Sequence, residues 1–343
     1  MQVIVTVKEL KKEDAHFNPL IPMIKGAMES SIDKLIALEE PPINVDGLVA
    51  VHVLDDYEKE LTDFQLSNGQ KPHMTKLSIG EGHGQVITTA DGYHIFLNKY
   101  IPINILACQL LEDNSNGSND KLLNQIKIEK NKYLRVIRHE LAHIEDKNNQ
   151  KEMLWLKDAI RIDNLQNRLR SVAYRLWEEF YACSRSNFYY DSDGIIEEFR
   201  SLSCSIEQAE EKACELRWEY NTLKIDINTF VTSFMDYLQT ALIYGCYFLG
   251  HIDKIYNSVG HELMQRAYPS RIFPHFLAIW ERLRAMKESY PKWNSPEILD
   301  ELADVVHLVI REFEVFPKDT CEGVYYDVPP KKLKTKKQEE SEK

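Results

Sequence analysis

The sequence predicts an α+β fold in which a small mixed sheet precedes a large α-helical C-terminal region. Runs rich in β-branched residues lie before Tyr100, and beyond Glu152 apolar residues recur almost wholly at helical spacing. Between them stands a single patterned helix, Tyr133 to Asn148. With 343 residues, 43% of them hydrophobic, the chain can bury a sizeable core as two domains, or as one domain with a large appendage.

Taken in order, Val3 to Val7 suits a strand, and Pro19 to Leu38 carries Met23, Ile24, Ala27, Ile32, Leu35 and Ile36 in a helical pattern. Leu48 to Leu54, L-V-A-V-H-V-L, is the strongest strand in the chain, and its continuous apolar character predicts burial on both faces. Gln85 to Leu97 is two β-rich runs around Asp91-Gly92, a hairpin signal. Asp113 to Asp120, D-N-S-N-G-S-N-D, is a surface loop. After Glu152, helical patterns run through Met153 to Tyr181 (as one helix or two), Ile195 to Leu223, Ile227 to Tyr256, Phe276 to Lys287 and Pro296 to Phe316. No internal repeat of fixed period is present.

The patterned helix contains His139, Glu140 and His143 in the spacing H-E-x-x-H. Residues four apart on a helix lie one above the other, so both imidazoles can face one cation. Glu140 leaves the helix at a different angle, suited to a general base that reaches a water without binding the metal. Tyr133, Ile137, Leu141 and Ile144 make an apolar stripe beside the histidine face. Asn131 is the expected N-cap, and Lys147, Asn148 and Asn149 the expected end.

A catalytic zinc takes three protein ligands and leaves one position open. Asp146 and Asn149 stand where a glycine and a third histidine would extend the motif, which excludes the metzincin pattern. The third ligand is then expected on a later helix, with R-L-W-E-E-F-Y-A-C-S-R-S at 175 to 186 as the best stretch. There Glu179 is followed at helical spacing by Ala182 and Ser186, small residues that permit close helix approach. Glu178 is the alternative ligand, one residue round the helix.

Over Gly84 to Ser186 the sequence resembles the gluzincin-type zinc metallopeptidases of the zincin superfamily, which pair H-E-x-x-H with a downstream E-x-x-A helix. The resemblance implies a zincin-like core of small mixed sheet, active-site helix and glutamate helix over residues 1 to 190. An α-helical appendage at 191 to 328 and a disordered charged tail at 329 to 343 would follow. It implies Zn2+ held by His139, His143 and Glu179, with Glu140 as the base, and a peptide bond in a cytoplasmic protein as substrate. The layout is similar to that of compact intracellular ImmA/IrrE-like peptidases. A departure falls at Cys183, four residues after Glu179, where some gluzincins carry an aspartate that supports a histidine ligand. Tyr181, Tyr189, Tyr190 and His261 are unranked candidates for stabilising an oxyanion. His83 and His94 read as structural or exposed histidines.

Other features bound the function. A net charge of −12 argues against a nucleic-acid partner. The N-terminus does not have the pattern of a signal peptide. The most apolar stretch, Thr240 to Leu249, is too short for a membrane span. Six cysteines without a C-x-x-C pair suit a reducing, cytoplasmic setting. The helical region offers a surface for a regulatory partner or a homodimer. The contrasting expectation from another class is a helical scaffold whose metal site is structural or vestigial.

Overall fold

The computed structural model describes residues 4–72, 76–77, 80–81, 83–114, 120–153, 155, 163–187, 192–253, 262–264 and 269–330. The chain forms two compact units that interleave along the sequence. The first is Met1–Leu154 with Trp177–Phe199 and Cys246–His261, and the second is Trp155–Leu176 with Arg200–Gly245 and Glu262–Lys343.

The first unit contains a four-stranded mixed sheet. Strands β1 (Ile4–Val7), β2 (Leu48–Leu54) and β6 (Tyr93–Asn98) are parallel, and β5 (Gly84–Thr88) closes the order β1-β2-β6-β5 antiparallel to β6. A two-stranded ribbon of β3 (Lys76–Leu77) and β4 (Gly80–Glu81) precedes β5. The expected hairpin is thus present, with Gly92 at φ +142° in its turn, where a side chain would strike the Gly47 carbonyl. Strands β2 and β6 are parallel because the chain between them crosses over through a connection that contains helix α2 (Tyr57–Ser67), opened by the Asp56 carboxylate accepting from the Lys59 backbone N–H at 3.3 Å.

Successive side chains on a strand face opposite ways, and β6 divides its own accordingly. Tyr93, Ile95 and Leu97 join a core with Met28, Ile32 and Leu35 of helix α1 (Ile21–Ile36) and Ile101 and Ile105 of helix α3 (Tyr100–Asn114). Phe96 packs on the other side with Leu54, Tyr57, Leu61 and Ile87. Ile137, Leu141 and Ile144 of the motif helix are fully buried in the first of these cores, and Tyr133 packs against it, as the apolar stripe requires.

That helix, α4, runs Asp120–Gln150, so Asn131 lies inside it rather than at its start. The segment before Asn131 contains neither proline nor glycine, and a single asparagine costs a helix interior only a fraction of a kcal/mol, roughly 0.7 at most. The expected loop before it is described only at its ends, which belong to α3 and α4, and 115–119 lies outside the described residues.

Helices α5 (Leu165–Ser186), α6 (Ser192–Asn221) and α7 (Ile227–Asp253) contribute to both units. The second unit adds α8 (Phe276–Ser289), α9 (Asp300–Glu312) and an antiparallel hairpin, β7 (Phe316–Thr320) with β8 (Gly323–Asp327). The hairpin is an exception to the helical C-terminal region expected from sequence. Helix α9 stops before it at Phe313 and Glu314, the latter at φ +56°, and the Arg217 guanidinium donates to both of their carbonyls at 2.5 and 3.1 Å. Arg170 binds Asp300 through two hydrogen bonds of 2.6 and 2.9 Å. Within this unit Gly245 is pressed against the Phe276 ring, leaving no room for a side chain. The charged run from Lys331 lies outside the described residues. No helix among the described residues is long and apolar enough to cross a membrane.

Candidate metal centre

Helix α4 presents His139 and His143 one turn apart, and the last turns of α5 bring Glu179 to them, all within the first unit. The two imidazole Nε2 atoms are 3.0 Å apart, and Glu179 Oε2 stands 3.4 Å from that of His139 and 3.6 Å from that of His143. Among the described residues, these three form a group able to hold a metal ion. The three side chains are 15–18% exposed, so water reaches them. Glu178 does not join them. Its carboxyl is pushed up to about 7, first by burial and then by the charge of Asp146.

The donor set fits a tetrahedral divalent cation. Bonds of ~2.0–2.2 Å at tetrahedral angles separate ligand atoms by roughly 3.3–3.5 Å, close to the spacings seen here. Glu179 Oε2 is buried and has no hydrogen-bond partner, an arrangement that costs free energy unless something else satisfies the oxygen. Burial works to raise the Glu179 pKa, but the two imidazoles outweigh it and hold the carboxylate well below its ordinary range.

Glu140 lies against the start of β5, close enough to feel the charges of His139, His143 and Glu179. A Cβ at Gly84 would come within 2.8 Å of Glu140 Oε1 and 2.9 Å of its Cγ, so a side chain there would have to displace the Glu140 carboxylate. Burial pushes the Glu140 pKa up, partly offset by the two histidines.

A charged clamp joins the two helices behind the site. Arg138, fully buried, donates to the carbonyls of Leu35 and Arg185, the latter at 2.7 Å, and pairs with Glu39 at 3.1 Å. Arg185 in turn holds Glu145 through two bonds of 2.8 and 3.0 Å and also pairs with Glu39. Ala182 is fully buried on α5, as close approach demands.

Among the oxyanion candidates, the Tyr181 hydroxyl belongs to this clamp, donating to Glu145 at 2.7 Å, while Tyr189, Tyr190 and His261 lie outside the described residues. Sequence reasoning missed two other tyrosines. Tyr247 sets its ring edge-on to His139 with centroids 5.9 Å apart. Tyr57 buries its hydroxyl without a partner, and burial followed by the Glu140 charge pushes its pKa up. Tyr247 lies in the apolar stretch tested only for membrane spanning, and nothing local to Tyr57 links it to the motif.

Around His139 the ring's other nitrogen, Nδ1, lies 3.5 Å from Cys183 Sγ. Burial works to raise the Cys183 thiol, but His251 and His139 beside it bring it down to about 7. His83 is exposed, and His94 is buried against His52 of β2, 3.0 Å between ring nitrogens. Compared with family models, with curated proteins and with solved structures, the chain finds no match.

Proposed function

We propose that this chain is a zinc-dependent metallopeptidase of the gluzincin type, with a zincin-like core and a peptide bond of a cytoplasmic protein as its substrate. The observation that carries the reading is the convergence of His139 Nε2, His143 Nε2 and the unsatisfied Glu179 Oε2, with Glu140 beside them on the same helix. Zinc held by those three would supply Lewis acidity and would lower the pKa of a water at the site from ~15.7 toward ~7.

The chain's own groups do the rest. Glu140 takes the proton of the water as it attacks the carbonyl carbon, then delivers it to the amine nitrogen as the C–N bond breaks. Its raised pKa suits a group that must hold that proton between the two events. Strand β5 ends the sheet beside Glu140, and an edge strand can hold an extended peptide by main-chain hydrogen bonds. The developing oxyanion needs a donor, and Tyr247, its ring edge-on to His139, is the residue we assign to that task. Six free cysteines fit the reducing compartment proposed for the substrate.

The test is metal content followed by hydrolysis. Wild-type protein purified without added zinc should carry about one zinc per chain, lost or much reduced in Glu179→Gln. Glu140→Gln should keep the metal and lose about 10²- to 10⁴-fold in the rate of cleaving a peptide library. Wild-type protein that takes up no zinc even when it is supplied would end this reading.

A further inference from the structure

The Cys183 contact is one end of a longer polar chain. Arg135 lies on α4 four residues before His139, and its Nη2 donates to Glu198 Oε1 of α6 at 2.7 Å. The other oxygen of Glu198 bonds Nδ1 of His251 on α7. His251 directly follows Gly250, whose backbone packs against Cys183 of α5, so that the imidazole and the thiol interact electrostatically, and Cys183 Sγ meets Nδ1 of His139. The chain therefore leaves α4 at Arg135, visits three other helices, and returns to α4 at His139. Every member belongs to the first unit.

Its members are anchored by packing as well as by polarity. Cys183 is buried, and Gly250 lies so close that a Cβ there would stand 2.6 Å from Cys183 Cβ and 2.6 Å from the Phe180 carbonyl oxygen. The backbone carbonyl of His251 accepts from the Asn187 side chain. The spacing of α7 against α5, and with it the path from His251 to Cys183, is thus set by backbone contact.

We propose that Arg135, Glu198, His251 and Cys183 form a clasp that orients His139, making Cys183 a positioning residue for the metal centre. The inference rests on the reading of that centre as a metal site. An imidazole whose Nε2 ligates a metal must carry its remaining hydrogen on Nδ1, and the partner of that N–H fixes both tautomer and ring plane. Sulfur accepts it here, and the role needs only a group held still at that point. Sequence spacing points to the place of Cys183 but hides its partners, because the members are drawn from four helices.

The experiment titrates Co2+ and Zn2+ into metal-free protein against a competing chelator and records the visible absorption spectrum of the cobalt form. Cys183→Ala should weaken binding about 10- to 100-fold and change the cobalt spectrum. Glu198→Gln, which touches neither His139 nor the ion, should move both in the same direction by less. Cys183→Ser, which keeps an acceptor in place, should restore affinity and spectrum toward those of wild type. Cys183→Ala and Glu198→Gln proteins that are folded and match wild type in both readouts would overturn the clasp while leaving the metal site intact. A Cys183→Ser protein no better than Cys183→Ala would do the same. Wild-type protein that binds neither ion would instead remove the metal-site reading, and the clasp with it.

Discussion

The first unit contains two histidine pairs of nearly equal closeness. His139 and His143 approach to 3.0 Å between ring nitrogens, and so do His52 and His94. Each pair has a carboxylate beside it, Glu179 in one case and Asp91, 3.3 Å from His94, in the other. The helical pair turns both Nε2 atoms and the carboxylate toward one point. The strand pair is strung out instead: Thr6 bonds His52 at 2.8 Å, His52 bonds His94, and His94 reaches Asp91, so both ring nitrogens of each histidine are already engaged. Proximity of imidazoles alone does not make a chelate, and convergence requires that at least one nitrogen of each ring be left facing a shared centre. Helical spacing of four supplies that geometry, whereas neighbouring parallel strands set their side chains in a row.

The sharpest way to break this comparison is to remove one ring from each pair. His143→Ala should reduce bound zinc from about one per chain to near zero, whereas His52→Ala should leave it unchanged, as metal analysis of the two proteins would show. Equal loss from both would mean that the strand pair holds the metal.

A smaller effect is expected where the helices are tied together. Arg185→Ala removes the cation that faces the largely buried Glu145 carboxylate and leaves the Tyr181 hydroxyl and the Arg138 bond to the residue 185 carbonyl as the remaining polar ties of the clamp between α5 and α4. It should cost about 3 kcal/mol of stability in denaturant unfolding and weaken zinc binding as well, because Glu179 rides on the same helix. If stability falls while metal affinity holds, the clamp supports the fold without setting the site.

The smallest effect concerns the strand pair and pH. Burial, then the charges of His94 and Lys8, hold the His52 pKa at about 4, against an ordinary value of 6.5. Between these limits the unfolded chain binds a proton that the folded chain refuses. The stability this contributes is therefore complete above 6.5 and is lost as pH falls toward 4. Because the ring is only partly buried, the loss is on the order of 1 kcal/mol, and the melting temperature of His52→Gln should fall less steeply with acid than that of wild type.

Legibility in the sequence followed the range of the interactions. His139, Glu140 and His143 are local to one helix, and the stripe of Ile137, Leu141 and Ile144 that buries it has the helical period. Glu179 was found through a resemblance joined to the small Ala182, and the structure sets it against both histidines. Strands β2 and β6 were legible from β-branched runs and the Asp91-Gly92 turn. Helix α3 was not, since Y-I-P-I-N-I-L-A-C-Q-L-L is apolar without a clear period, and β7 carries a proline and two charges that hide it. The partners of Cys183 and the clamp on Glu145 join residues tens of positions apart, and no periodicity encodes such pairs.

Gly84 extends the chemistry of the centre to a residue with no side chain. It donates no proton and holds no ion, yet the volume it leaves empty is what the Glu140 carboxylate occupies beside the strand. A screen of random substitutions would therefore record this position among the intolerant ones, next to charged and metal-binding residues. Its intolerance would be steric in origin: even a single methyl group there would have to displace the Glu140 carboxylate, while every polar atom of the site stayed in the sequence.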